Sequence, residues 1–90
     1  NMKKEDTTTL LSLKKTSGEK LISLWLYEST CDIYTADWML TQNKIKKVKS
    51  DLLDVCYQLA DKDKGIATRC YLSYVNYLDQ KTNHIMDELD

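Results

Sequence analysis

The side chains best able to do chemistry in this sequence are three cysteines, Cys31, Cys56 and Cys70, none of which belongs to a CxxC pair. In an antiparallel helical bundle they could share one layer. Residues equally distant from a turn lie at the same height in an antiparallel helix pair. Cys56 and Cys70 are almost equally distant from a predicted turn at Asp63. If the chain also turns at the weak break at 42–43, Cys31 lies at nearly the same height as Cys56. Cysteines that share a layer could form a redox pair or bind a soft metal ion. Alternatively, they could simply be three small residues packed in the core. We favour the core interpretation, since free cysteine is among the most buried residue types.

The other candidates for metal or acid–base chemistry have unfavourable spacing. His84 lies 14 residues beyond Cys70 on one predicted helix, or about 21 Å at 1.5 Å per residue, so the two cannot share a zinc ion. A lone histidine near a helix end is more typical of a surface residue than of a general base. The run 61–65 begins like a calcium loop, but Gly65 occupies a ligand position and Leu72 replaces the final glutamate. We therefore expect a protein that is not an enzyme and that holds no metal or cofactor.

A basic cluster is the only run of like charge in the chain. It consists of Lys44, Lys46, Lys47 and Lys49, which on a helix would fan over about 220° instead of forming one ridge. Acidic residues follow directly, and no aromatic residue lies among the lysines to stack on bases. A solvated helix face is the simpler interpretation. Contact with nucleic acid or with an acidic partner surface is the alternative.

The aromatic residues are the most informative side chains. The chain has six tyrosines, two tryptophans and no phenylalanine, and each of these rings has a polar group that favours the edge of a core. Tyr27, Tyr34 and Trp38, with Leu24, would line one face of the first long helix. Tyrosine and tryptophan are enriched at binding hot spots. This face is therefore either packed inside the protein or a surface for a partner or a second copy of the chain.

Composition limits the classes of function. The 90 residues carry 13 basic and 14 acidic side chains, for a net charge of −1, which excludes a globally basic nucleic-acid binder and makes nucleic acid a poor partner. No run approaches the ~18 apolar residues that span a bilayer, so we expect no membrane span. The odd number of cysteines fits reduced thiols, and we expect a cytoplasmic protein.

The elements that would position these residues are helices. The sequence has no proline and only two glycines, too few for the turns of a β-sandwich or barrel. We predict an all-α fold over 1–90, a single antiparallel bundle of three long helices, with 1–5 as a disordered tail. The predicted helices cover roughly 17–41, 44–60 and 66–89, with a start signal at Ser17-Gly18 and a left-handed Gly65. Gln42-Asn43 is a weak break without glycine or proline, so the alternative is one kinked helix that continues through it. A candidate short fourth helix covers 6–15.

Helical periodicity supports this arrangement. The second helix has a core stripe, namely Ile45, Val48, Leu52, Val55, Cys56 and Leu59, and a smaller stripe at Leu53, Tyr57 and Ala60. The third helix has one stripe, namely Ala67, Cys70, Tyr71, Tyr74, Val75, Leu78, Ile85 and Leu89. The first helix is apolar on two sides, with Ile22, Leu26, Ile33, Ala36 and Leu40 on one, and Leu24, Tyr27, Cys31, Tyr34 and Trp38 on the other. A helix with two apolar sides is either central in its bundle or offers one side to a partner.

These observations favour a non-catalytic protein–protein interaction module, such as a small inhibitor, an immunity-type factor, a secretion chaperone, a regulator or an adaptor. It would bind another protein, or itself as a homodimer, through the aromatic helix face. The alternative is a small helical nucleic-acid-associated regulator that uses the cluster from Lys44 to Lys49.

Overall fold

The computed structural model describes residues 6–89, which form three helices and no strand. These are α1 (Thr7–Glu28), α2 (Ala36–Leu59) and α3 (Lys64–Leu89). Short connections make each helix antiparallel to the next, and α1 makes its most extensive contacts with α2. The predicted all-α three-helix bundle is confirmed, whereas the predicted tail at 1–5 lies outside the described residues. None of the three helices is long and apolar enough to cross a membrane.

The core is a thin column to which all three helices contribute. Its central cluster comprises Leu21, Ile22, Ile45, Val48, Leu52 and Leu78. The stripe predicted on α2 is buried except for the half-buried Leu59, whereas Cys70 and Leu89 of the stripe predicted on α3 are exposed. Two buried threonines, Thr41 and Thr82, each donate a hydroxyl hydrogen bond of 2.8 Å to the carbonyl of the residue one turn earlier, which offsets the cost of burying them.

The boundary between the first two helices differs from the prediction. The chain reverses over 29–35, and the expected break at 42–43 lies inside α2. Ser29 and Thr30 end α1 because their hydroxyls bond the carbonyls of Leu26 and Tyr27 at 2.6 and 2.7 Å. Thr35 then caps α2 by accepting a hydrogen bond from the Trp38 amide at 3.2 Å. Side-chain bonds to the backbone, not glycine or proline, make this turn.

The expected helix start at Ser17-Gly18 is also wrong, because both residues lie within α1. That helix begins earlier, where the Asp6 carboxylate accepts a hydrogen bond of 2.8 Å from the amide of Thr9. The candidate fourth helix over 6–15 is therefore the first half of α1, and it contributes Leu10 to the core. Gly18 is buried against Tyr74 of α3, whose hydroxyl would lie 2.4 Å from a Cβ at this position. The glycine serves a close approach between helices rather than a helix end.

The turn between α2 and α3 is confirmed, with a different residue conformation. Asp61 and Lys62 have φ of 52° and 66°, whereas Gly65 lies in the first turn of α3. The Lys62 amide donates to the carbonyl of Tyr57 at 2.9 Å, the bond that defines a Schellman motif at a helix end. Asp63 caps α3 through a 3.0 Å bond from the amide of Ile66.

The molecule is a short rod, with principal extents of 46 × 27 × 22 Å. We call the end with the 29–35 loop the upper end and the end with the 60–63 turn the lower end. Because the helices are antiparallel, the rise of about 1.5 Å per residue places the upper half of the rod at 17–47 and 76–89. The lower half comprises 6–16 and 48–75.

Candidate functional site

The upper end of the rod carries four aromatic and apolar side chains, of which Trp38 is half-buried and the other three are exposed. Tyr27 lies in the last turn of α1, Ile33 and Tyr34 lie in the loop, and Trp38 lies in the first turn of α2. We call these four residues the aromatic tip. The structure places Tyr27, Tyr34 and Trp38 at the same end of the rod, but the predicted single helix face is wrong. Their proximity results from a chain reversal, since they do not lie along one helix face.

Tyr34 has the most unusual conformation in the tip. Its φ is 67°, in the left-handed region that a residue with a Cβ adopts at a cost of about 1–2 kcal/mol. Its ring nevertheless stays 79% exposed and packs edge to face against Trp38, with ring centroids 5.4 Å apart. Burial of the Tyr34 ring therefore does not account for this backbone strain.

The loop that holds Tyr34 is fixed by hydrogen bonds on both sides. The Thr35 hydroxyl donates to the carbonyl of Asp32 at 2.7 Å while accepting from the Trp38 amide. On the α1 side, the Cys31 amide donates to the carbonyl of Glu28 at 3.0 Å. The tip is ordered before any partner arrives, which reduces the entropy lost on binding.

Tyr27 is tied to the second helix through its phenol. The hydroxyl donates to the carboxylate of Asp37 at 2.7 Å. This hydrogen bond raises the pKa of Tyr27, and the negative charge of Asp37 adds to the shift, because ionisation would place two anions side by side. Asp37 also lies in the first turn of α2, where the helix dipole favours an anion.

Leu24 lies apart from the aromatic tip. It is half-buried and packs against the core cluster. It precedes Tyr27 by three residues in α1 and so lies further from the upper end. The two apolar sides expected for one helix from 17 to 41 do not form, because the reversal at 29–35 divides both of them between α1, the loop and α2. Ile33 and Leu40 of the first side are exposed, whereas Ile22 is buried.

Sequence reasoning did not assign Ile33, Thr35 or Asp37 to this site. A signal for the last two was present: a threonine followed by an acidic residue in the next turn is a helix-start pattern. With that pattern, the sequence would have placed a helix start at Ala36. The left-handed Tyr34 has no such signal, since its conformation depends on hydrogen bonds made by neighbouring residues.

The four lysines of the basic cluster lie along the middle of α2 but do not act together. Lys47 forms an ion pair of 2.7 Å with Asp51. The ammonium of Lys49 lies 5.7 Å from the ring centroid of Trp25 on α1, a cation–π distance. Lys44 and Lys46 are exposed on other sides of the helix.

Cys31 does not share a layer with the other two cysteines, whereas Cys56 and Cys70 lie at similar levels near the lower end, as predicted. Cys31 lies in the upper loop, whereas Cys56 is 20 residues beyond the start of α2, or about 30 Å down the rod. Cys56 is buried and Cys70 is exposed, and burial raises the pKa of the Cys56 thiol. Within residues 6–89, no three His, Cys, Asp or Glu side chains are grouped so that they could hold a metal ion.

His84 is exposed on the upper half of α3 and lies 3.1 Å from the carboxylate of Glu88, one turn further on. Because α3 is continuous, the predicted separation of about 21 Å between His84 and Cys70 holds. The arrangement matches a surface residue on a helix.

The aromatic tip lies in the acidic part of the rod. Residues 21–43 contain Glu28, Asp32 and Asp37 and no lysine or arginine. The tip therefore combines exposed rings with negative charge, a combination that suits cationic side chains through cation–π and ionic contacts. Comparison of the chain with protein-family models, with curated proteins and with solved structures gives no match.

Proposed function

We propose that this protein is a non-catalytic interaction module that binds another protein through the aromatic tip. The observation that carries the proposal is Tyr34, an exposed ring on a left-handed backbone. Strained residues persist only where the surrounding structure fixes them, and they are concentrated at functional sites. An exposed, pre-ordered tyrosine beside a tryptophan has the character of a binding hot spot.

The partner surface that would complement the tip is cationic. Asp32 and Asp37 flank the aromatic pair, and the nearest lysines along the chain are Lys20 and Lys44. A lysine or arginine of the partner would meet both a ring face and a carboxylate. Such binding would weaken with added salt, because the Debye length falls from about 10 Å at 0.1 M to about 3 Å at 1 M.

The sharpest variant is Tyr34→Gly, because it separates binding from stability. Glycine relieves a left-handed strain of about 1–2 kcal/mol, while loss of the contact with Trp38 costs about 0.5–1.5 kcal/mol. The free energy of unfolding should therefore change by less than about 1 kcal/mol, as measured by urea denaturation. Tyr77→Ala is the matched control, because it removes another exposed tyrosine on a different face.

The test of binding compares three immobilised proteins, namely wild type, Tyr34→Gly and Tyr77→Ala, against the proteins of the source cell by quantitative mass spectrometry. A defined partner should be retained by wild type and by Tyr77→Ala and lost from Tyr34→Gly. The double variant Tyr34→Ala with Trp38→Ala should lose it as well, while keeping the helical circular-dichroism spectrum. Equal retention on all the proteins would contradict the proposal, and global unfolding of the double variant would assign both rings to the core.

The alternative role in nucleic-acid binding gains no specific support. Lys47 and Lys49 already have partners within the chain, and the acidic residues Asp51 and Asp54 follow within two turns. Retardation of DNA or RNA at low salt, with a steep loss of affinity as salt rises, would revive this alternative.

A further inference from the structure

The rings of Tyr34 and Trp38 meet at an angle that no cation of the described chain occupies. Their planes are 64° apart and their centroids 5.4 Å apart, so the two ring faces form a corner. A cation in such a corner can lie within the ~6 Å of both centroids over which cation–π attraction acts. The lysines that lie over aromatic rings in residues 6–89 contact Tyr74, Trp25 and Tyr77 instead. The most exposed ring of the tip therefore has a vacant cation–π position.

The carboxylate of Asp37 also has capacity for a further donor. It accepts the hydroxyl of Tyr27 at 2.7 Å through one of its oxygens, whereas an ionised carboxylate has about four lone-pair positions for hydrogen bonds. Asp37 is exposed and forms no ion pair with any residue in the range 6–89. It directly precedes Trp38 in the first turn of α2. A negative charge without a cationic partner thus lies beside the pair of rings.

We propose that the tip binds an arginine of its protein partner, with the guanidinium against the rings of Tyr34 and Trp38 and an N–H group donated to Asp37. This inference rests on the proposed function and narrows the cationic surface of the partner to one residue type. A guanidinium is planar and weakly hydrated, so it stacks on aromatic faces, and its fork of donors matches a carboxylate. The ammonium of lysine is a compact and strongly hydrated point charge. Rings and carboxylate together therefore favour arginine.

The backbone of the loop prepares this geometry in advance. The left-handed conformation of Tyr34, with φ of 67°, sets its ring against Trp38. The Thr35 hydroxyl fixes both neighbours, because it donates to the carbonyl of Asp32 and accepts from the Trp38 amide. An arginine that enters a preformed site loses mainly its own rotamer freedom on binding. An incoming guanidinium thus gives the strained and exposed Tyr34 a role.

Short peptides test the residue type without the partner. Blocked tripeptides with arginine, lysine, trimethyl-lysine or norleucine between two glycines are titrated at constant ionic strength and followed by NMR. The arginine peptide should shift the Trp38 indole N–H and the Tyr34 ring resonances saturably, at roughly millimolar concentration. It should bind at least about threefold more tightly than the lysine peptide, and the norleucine peptide should cause no shift. The Trp25 indole is an internal control, because it packs against the core cluster.

Two results of these titrations would overturn the proposal. Equal affinity for arginine and lysine would show that the tip responds to charge alone. Tighter binding of trimethyl-lysine would show recognition by the rings without the carboxylate, as in an aromatic cage.

Three variants locate the site. Tyr34→Gly should remove the shifts that the arginine peptide causes at Trp38, and Tyr34→Asn replaces it if the glycine variant does not fold. Asp37→Asn keeps an oxygen that accepts the Tyr27 hydroxyl, but it should reduce the preference for arginine over lysine to about one. Asp79→Asn is the matched control, since it removes an exposed carboxylate of α3. Titrations that do not change in the tip variants would contradict the proposed contacts.

Competition against the captured partner separates this inference from the proposed function. An excess of the arginine peptide should release a partner whose retention depends on Tyr34, and the lysine peptide should release less. A Tyr34-dependent partner that both peptides release equally would contradict the arginine site alone. An arginine peptide that binds the tip, while no captured protein depends on Tyr34, would contradict the proposed function and support the arginine site.

Discussion

At the scale of single residues, Tyr34 is the one residue among the three described left-handed residues that carries an aromatic ring. Tyr34 is left-handed and 79% exposed, so the fold gains little burial from keeping a tyrosine there. The aromatic residues at 27, 34 and 38 could be identified from the sequence as a group, but their proximity could not, because it results from the chain reversal at 29–35. The conformation of Tyr34 could not be predicted, since it depends on the caps made by Thr30 and Thr35 rather than on its own type.

The phenol of Tyr27 should titrate above its ordinary pKa of about 10, because it donates to Asp37 and faces its charge. A raised folded pKa means that the interaction stabilises the protein below pH ~10 and is lost as the pH rises through the folded pKa. The pH dependence of the Tyr27 ring resonances in NMR spectra measures this directly. In Asp37→Asn the titration should move down towards that of an exposed tyrosine, and an unchanged titration would exclude Asp37 as the cause.

At the scale of elements, apolar periodicity predicted α2 and α3 better than it predicted α1. The stripe from Ile45 to Cys56 is buried as expected, because a long amphipathic helix has one way to cover its apolar side. The 29–35 loop was missed because its turn is built from serine and threonine hydroxyls bonded to the backbone, in place of glycine or proline. Gly18 was wrongly predicted to lie at a helix start. Its role depends on a contact with Tyr74, which is remote in sequence and could not be predicted from neighbouring residues.

Gly18→Ala tests that contact between α1 and α3. Alanine should gain about 1 kcal/mol in helix propensity, yet its Cβ would lie 2.4 Å from the Tyr74 hydroxyl, and overpacking costs about 1–3 kcal/mol. We expect a net loss in the free energy of unfolding, measured by urea denaturation. In a Tyr74→Phe background the same change should be less costly or stabilising. If Gly18→Ala raised the free energy of unfolding by the full ~1 kcal/mol with Tyr74 present, α1 and α3 would not approach each other so closely at this position.

At the scale of the whole molecule, the sequence correctly indicated an all-α bundle of three helices. The radius of gyration is 14.6 Å, against about 12 Å for a compact chain of this length, because three helices of similar length form a rod. The N-terminal segment completes part of the core through Leu10. A concave surface between α2 and α3 is not filled by any other part of residues 6–89. Its lining by Leu53 and Tyr57 could be predicted from periodicity, whereas its shape depends on how α3 packs.

The net charge of −1 conceals how the charges are distributed. The upper end of the rod is acidic and its middle is rich in lysine, so the molecule has a dipole moment along its axis. The backbone adds to it, because α1 and α3 both have their positive N-terminal ends at the lower end and α2 alone opposes them. Near its isoelectric point of about 5.8 the protein should therefore bind an anion-exchange resin through its acidic upper end and a cation-exchange resin through the lysines of its middle, both at low salt. A chain of the same composition with mixed charges would pass through both, so chromatography can detect an orientation that the total charge does not reveal.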